Sequence, residues 1–428
     1  CLGSCLGSCC ASMCCSVVSR MCGWSNKQSD KYSKLPYGIL IFLTVLVALV
    51  LKNFHQDFGI SMYGMSVQVC GESCQGDQAV YRITLAMTIF FAAHAFFVLV
   101  LPYQMAWEIH ARCFGVKLLI YAGIVASMFF IEKKSASEFA EASRIISLVF
   151  LIFQIMVIID YAYTLHFWMI DRDEDRVKNW EYANLAISGV LICGCISADA
   201  LLFHWFTEDD NCSIEKFVLS LTIIVPTLFT FASCTDFIPH GALFPSTCVS
   251  SYITYLAWTA MISNDNDSCN ATVTDKETTW ELAIGIVIAA ISITFTTWNA
   301  SSTSTQLFGR QEGEAGADRK LLDPSDEKDE DDQDDQDDQN SENYQVSDEL
   351  AAKRKQDALI FHILMTFASM YACMLLTSWS TNNYGSGHKE RYRSNESFWV
   401  KVASQWVVMI LYIWTLIAPI LFPDRDFS

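Results

Sequence analysis

Charge is scarce in this sequence. Of 428 residues, 18% are Asp, Glu, Lys or Arg, against 52% hydrophobic. A soluble globular chain carries about 25% charged residues, so that class is excluded. Basic residues are the scarcer sign, 28 against 47 acids. No basic cluster stands out along the chain, which excludes a nucleic-acid partner. The acidity is itself local. Of the net −19, Gln311–Leu350 supplies −14 through 17 acids and 3 bases, so the remainder is nearly neutral. Other missing features narrow the chemistry. No Gly-rich loop is present to cradle a phosphate, and no paired C-x-x-C with His is present to hold zinc. The start has neither a basic n-region nor an apolar h-region, so no cleavable signal peptide is expected there, and the first residue is Cys rather than Met.

What is present is a series of long apolar runs, at about 36–52, 80–102, 117–131, 145–170, 182–206, 214–235, 247–262, 280–298, 357–379 and 399–422. Runs of this length make the chain an all-α polytopic membrane protein of about ten transmembrane helices. The run at 117–131 is short and that at 247–262 is rich in Ser and Thr, which weakens both as spans. Trp280 and Trp298 flank the eighth span at the separation expected of two aromatic belts.

Ten spans place both termini on one side. That side gathers Arg20, Lys27, Lys31, Lys34, Arg112, Lys117, Arg172, Arg176 and Lys178, so the positive-inside rule makes it cytosolic. The N-x-S/T sequons at Asn211, Asn266, Asn270 and Asn395 all fall in the opposite loops and are expected to be glycosylated. A fifth, at Asn299, falls inside and is expected to be unused. Cys70, Cys74, Cys212 and Cys269 also fall outside, where disulfides persist, although spacing does not give their pairing.

The stretch from Arg144 to Ile170 has no Pro, no Gly and almost no charge. As a helix it would be about 40 Å long at about 1.5 Å per residue. The apolar slab is about 30 Å thick, so the helix is expected to cross on a slant. Gln154 and Asp160 lie within it, about 120° apart around the axis. Neither side chain belongs against acyl chains, so protein or water should cover the helix on two sides. That pattern describes a brace between two bundles.

The expected domains are a Cys-rich cytosolic segment (1–35), spans one to eight (36–299), an acidic disordered cytosolic loop (300–355), and spans nine and ten with a short tail (356–428). The loop reads most simply as a solvated tether, with Asp318–Leu322 a weak match to an acidic-dileucine sorting signal. The N-terminal cysteines recur at i, i+4 steps beside Gly3, Gly7 and Ala11. Helix packing and S-acylation of Cys9, Cys10, Cys14 and Cys15 near the cytosolic leaflet both fit this pattern better than zinc does. No resident metal or cofactor is expected. His166–Asp171 fits an acyltransferase H-x4-D and Asp171–Asp173 a D-x-D, both short enough to arise by chance.

Residue by residue, several stretches resemble the serine incorporator family in the right order. They are CLGSCLGSCCASMCC at the start, VYRITLAMTIFF at 80–91, FQIMVIIDYA at 153–162, YITYLAWTA at 252–260, LIFHILMTFASMYACMLLTSW at 359–379, and Phe398 to the end. The resemblance implies ten helices in two bundles joined by a long diagonal helix, here 144–170. It also implies a role in serine incorporation into phosphatidylserine and sphingolipids, and scramblase-like lipid movement. It supplies no catalytic residue, and the chain is expected not to be an enzyme. The expected headgroup groove combines Gln154 and Asp160 with Asp199, Lys401 and Gln405, although a brace helix hydrogen-bonded to its neighbours explains Asp160 as simply. His94, His204 and His362 read as packing residues, and Lys401 and Arg82 as snorkelling cations. Phospholipids and sphingolipids are the expected partners, with a second copy of the chain or lipid-synthesising enzymes as further ones. Two rival functions remain: a scaffold docking serine- and sphingolipid-synthesising enzymes through the acidic loop, and a proton-coupled serine transporter using Asp160 or Asp199. No Gly/Pro-broken pair of helices supports the transporter. The membrane expected is endomembrane or plasma membrane.

Overall fold

The structure is a computed structural model that describes residues 34–54, 72–111, 114–171, 179–208, 211–235, 238, 241–264, 266–269, 336–379 and 395–422. The expected span at 280–298, the cysteines at 1–33 and Cys70 lie outside the described residues, as does Asn270.

The long elements among the described residues are all α-helices: α1 (Leu35–Phe54), α2 (Glu72–Val100), α3 (Tyr103–Ala111), α4 (Phe114–Met128), α5 (Lys133–Asp171), α6 (Asn179–Phe206), α7 (Ser213–Ser233), α8 (Leu243–Ile262), α9 (Gln336–Leu376) and α10 (Asn395–Leu421). Seven of them (α1, α2, α5, α6, α7, α9 and α10) are long and apolar enough to cross a membrane; α4 is a shorter apolar helix. α8 has the length, but its hydroxyls keep it out of that group. Those hydroxyls bond back to the helix's own carbonyls, as Ser250 does to Ser246 O and Ser251 to Thr247 O. Pro36 sits in the first turn of α1, where a backbone N–H has no helical partner.

The helices pack as two sets. In the first, Tyr37, Ile41, Val45 and Ala48 of α1 recur every three or four residues and meet Ile83, Met87, Phe90 and Phe91 of α2 and Phe361, Met365, Ala368 and Ala372 of α9. In the second, α8 is the hub. Val249, Ile253 and Leu256 pack on Phe229 of α7 and Val408, Met409 and Tyr412 of α10, while Ala257 and Met261 meet Leu202 and Phe206 of α6.

Helix α5 touches both sets with different faces. Phe153 and Val157 pack on Leu364 of α9, and Ile155 and Ile159 join the core around α8 and α10. At 39 residues it is about 58 Å long, well beyond the apolar slab, so it runs obliquely if it spans. It begins eleven residues earlier than the expected 144. Lys133–Ser143 is rich in helix formers, and its buried Ala136, Phe139, Ala140 and Ser143 present an i, i+3, i+4, i+7 face. Met370, Cys373 and Met374 of α9 cover that face.

A second boundary also moves. The expected acidic loop over 300–355 is helical from Gln336, because α9 runs unbroken from there into its apolar part. Asp337 and Asp338 fall in its first turn, a position at which the helix dipole favours acidic residues.

The chain direction puts the start of α1, the end of α2, α3 and the starts of α4 and α6 on one face of the molecule (face one). The end of α1, the start of α5, the start of α7 and the start of α10 lie on the opposite face (face two).

Candidate functional site

On face two, α5, the end of α9 and the start of α10 border an open pocket of about 330 Å³ lined by Arg144, Trp379, Asn395, Glu396, Trp399 and Val400. Helix α9 ends there in an unusual way. Ser378 and Trp379 have φ of 51° and 60°, a left-handed conformation that a bulky residue rarely takes. The turn is capped by the Trp379 N–H donating to Met374 O at 2.9 Å, a bond found in helix ends that usually carry Gly. The Arg144 guanidinium donates to Trp379 O at 2.9 Å, so α5 holds the strained residue in place. The Trp379 ring is buried among Tyr81, Phe139 and Met374, whereas Trp399 is 43% exposed at the pocket rim. Backbone strain of this kind persists only where its surroundings fix it, and it concentrates at ligand clamps. The result is a guanidinium and an exposed indole at the rim of a mainly apolar pocket, on the seam between the two sets.

The five residues expected to form a groove fall into two groups. Gln154 is buried and Asp160 half-buried, both on α5. The other three turn toward α8. The Thr254 hydroxyl bonds the Asp199 carboxylate, leaving Asp199 Oδ1 buried without a hydrogen-bond partner. Gln405 Nε2 donates to Thr222 Oγ1 at 2.6 Å and to Ile253 O at 3.5 Å. Lys401, read from the sequence as a snorkelling cation, is engaged by the end of α8. Its ammonium donates to Thr259 O at 3.1 Å and to Ser263 Oγ, at the negative end of α8. Arg82 is likewise buried within the protein and donates to Ile131 O at 2.8 Å beyond the end of α4. Of the histidines, His204 is exposed, while His94 and His362 enter a buried cluster with His110 described below.

Of the four candidate disulfide cysteines, Cys212 and Cys269 are bonded, with Cα atoms 5.6 Å apart. The bond ties the start of α7 to the segment after α8, and Asn264 Nδ2 bonds Glu215 Oε1 beside it. Cys212, Glu215 and Cys269 lie close enough together to suggest a metal site, but the disulfide occupies both sulfurs. The side chain of Cys74 lies outside what is described. Asn211, Asn266 and Asn395 are exposed on face two. Sequence alone did not single out Arg144, Trp379 or Trp399. A Trp at the end of an apolar run is a weak signal, and a left-handed backbone at a non-glycine leaves none.

The chain as a whole matches known proteins closely. A family model described as serine incorporator (Serinc) matches residues 4–425. A probable serine incorporator of Nematostella vectensis is 25% identical over 418 residues, covering 92% of this chain and 91% of that protein. Serine incorporator 3 of Bos taurus is 24% identical, covering 94% of each chain. Serine incorporator 5 of Rattus norvegicus is 26% identical over 400 residues, covering 84% of this chain and 83% of its own. The family model spans every helix described above, and the chain belongs to the serine incorporator family.

Proposed function

We propose that this protein binds phospholipids, phosphatidylserine among them, and moves them between leaflets along the seam beside α5, with no catalytic step of its own. By supplying lipid in this way it supports serine incorporation into phosphatidylserine and sphingolipids. The observation that carries the reading is the pocket on that seam. Arg144 is placed to meet a lipid phosphate, Trp399 to lie along the glycerol, and the apolar walls to take the upper acyl chain. A lipid in transit needs polar groups for its headgroup while its tails stay in hydrocarbon. Gln154 and Asp160 offer those groups further along the same helix. We assign face two to the non-cytosolic side, with both termini cytosolic. The disulfide and the exposed sequons on that face support this orientation.

Reconstitution into liposomes with labelled lipids tests the function directly. The expected result is faster loss of leaflet asymmetry than in empty liposomes, and equal rates would contradict it. A second reading rests on Asp199, whose buried carboxylate is only half satisfied. It is the best-placed proton carrier for coupled serine transport. Proton-dependent serine uptake by sealed vesicles would favour that reading instead.

A further inference from the structure

The first set contains a polar cluster that the lipid seam does not use. It sits near face one, where α1 begins, α2 ends, α3 lies across and α4 starts. The Tyr37 ring stacks on His110 at 5.5 Å between centroids and meets His362 edge-on at 5.2 Å, with His94 6.1 Å away. Tyr37 Oη donates to His110 O at 2.8 Å, and His110 Nδ1 and His362 Nε2 share a hydrogen bond of 3.1 Å. Lys117 reaches into the cluster. Its ammonium donates to Tyr37 Oη at 2.8 Å and His110 O at 3.0 Å and lies 5.3 Å from the Tyr37 ring centroid. Lys34 enters from the chain end of α1, 5.9 Å from the Phe361 ring centroid.

Two features of this cluster are incomplete. Lys117 is 7% exposed, yet no carboxylate among the described residues lies within ion-pair distance of it. The acid in this neighbourhood, Asp357, acts on Lys34. A buried ammonium held only by a phenol and a carbonyl lacks the counter-charge that offsets its desolvation. Three donors belong to an ammonium, and two are used. In addition, His362 is fully buried and its Nδ1 has no hydrogen-bond partner. The cluster therefore has an excess positive charge and an open imidazole nitrogen beside the same tyrosine ring.

We propose that this cluster is a binding site for a phosphate group, entering from face one and seated against Lys117 and His362. Lys117 supplies the charge, His362 Nδ1–H donates a second bond, and half-buried Lys34 stands at the entrance. The protonated Nδ1 tautomer leaves His362 Nε2 to accept from His110 Nδ1–H, which fits the observed 3.1 Å bond. The phosphate belongs either to an anionic phospholipid in the adjacent leaflet or to a free phosphate. The site lies in a different set from the α8 polar groups and on the opposite face from the Arg144 pocket, so it stands or falls separately from the lipid-moving reading.

The test uses the full chain in nanodiscs of phosphatidylcholine, with and without a minor fraction of phosphatidic acid, and separately with inorganic phosphate against chloride. Thermal melting is the readout. Stabilisation by phosphatidic acid but not by phosphate identifies the lipid as the source, and stabilisation by both identifies an open phosphate site. Lys117→Met removes the charge while filling the same volume. It is expected to melt no lower than wild type without ligand and to lose at least about tenfold in apparent affinity. His362→Phe, which keeps a ring in place, is expected to weaken binding as well. No stabilisation by either ligand, or an undiminished response in Lys117→Met, overturns the proposal. Should Lys117→Met fail to fold, Lys117→Arg keeps the charge and should keep the response, while loss of the response there counts against the site.

Discussion

Single residues show where partners decided the outcome. Arg82, Lys401 and Lys52 are the kinds of residue expected at membrane edges, and each donates to a backbone carbonyl at a helix end or past it. Arg82 takes Ile131 O, Lys401 takes Thr259 O, and Lys52 takes Leu376 O together with Asp77 at 3.1 Å. Sequence identifies the cation but not which helix end comes within its reach. Gly76 belongs to the same joint. A Cβ there would lie 2.5 Å from the Lys52 carbonyl oxygen, backbone that cannot yield without moving α1. Gly76→Ala should therefore destabilise by about 1–3 kcal/mol, read as a lower melting midpoint in detergent. An unchanged midpoint would mean that α1 and α2 pack less closely than described.

His110, on the short helix α3, carries a pH prediction. Burial first, and then the positive charges of Lys117 and Lys34 and nearby His94, push its pKa down to about 3. With His362 also facing it, the folded state keeps His110 neutral. A group whose pKa is depressed in the fold favours folding above its unfolded value and loses that contribution as pH falls. The contribution should thus decline on acidification from about 6.5 downward. Hydrogen exchange at 103–111 should rise between neutral and mildly acidic pH, and His110→Gln should flatten that rise. An equal rise in the variant would assign the effect to another group.

Among the elements, α5 was the most legible and α8 the least. A stretch without Pro, Gly or charge reads as one helix, and its two polar residues on separate faces required cover on both sides. Phe153 and Val157 face α9 and Ile155 and Ile159 face α8 and α10, so α5 packs on two sides, with Gln154 buried and Asp160 half-buried. The first eleven residues of the helix were missed because amphipathic, Ala- and Glu-containing sequence reads as loop when the search is for apolar runs. Helix α8 looked weak for its hydroxyls, yet polar groups from α6, α7 and α10 all meet it, which is why it can afford so many. The acidic start of α9 was missed because composition reports solvation rather than backbone conformation. Phe153→Ala and Ile159→Ala empty different faces of α5. Each should cost about 2 kcal/mol or more through lost packing. They should add to within about 0.5 kcal/mol in the double variant, since they share no neighbour in the packing described. Strong coupling between them would place both residues in one core and end the picture of a helix bridging two sets.

At the scale of the whole molecule, the class, the family and most helices were readable from apolar runs and a few ordered stretches. The pocket was not, because it depends on the end of α9 and the start of α10 meeting the side of α5, and on a left-handed turn at Trp379. Orientation remains a separate question with a separate measurement. Asn211, Asn266 and Asn395 are exposed on the face assigned outward, so replacing each with Gln should remove one glycan's worth of mobility shift, while Asn299→Gln should remove none. Glycan on Asn299 alone would invert the assignment.

The most direct test of the central claim follows labelled phosphatidylserine across liposomes containing the full chain, comparing wild type with Arg144→Ala/Trp399→Ala and with Gln154→Ala/Asp160→Ala. The account predicts transfer by the wild type and at least about a tenfold slowing in each pair of substitutions, measured on protein that remains folded at the assay temperature. Transfer at the wild-type rate in both double variants would contradict a lipid route along α5.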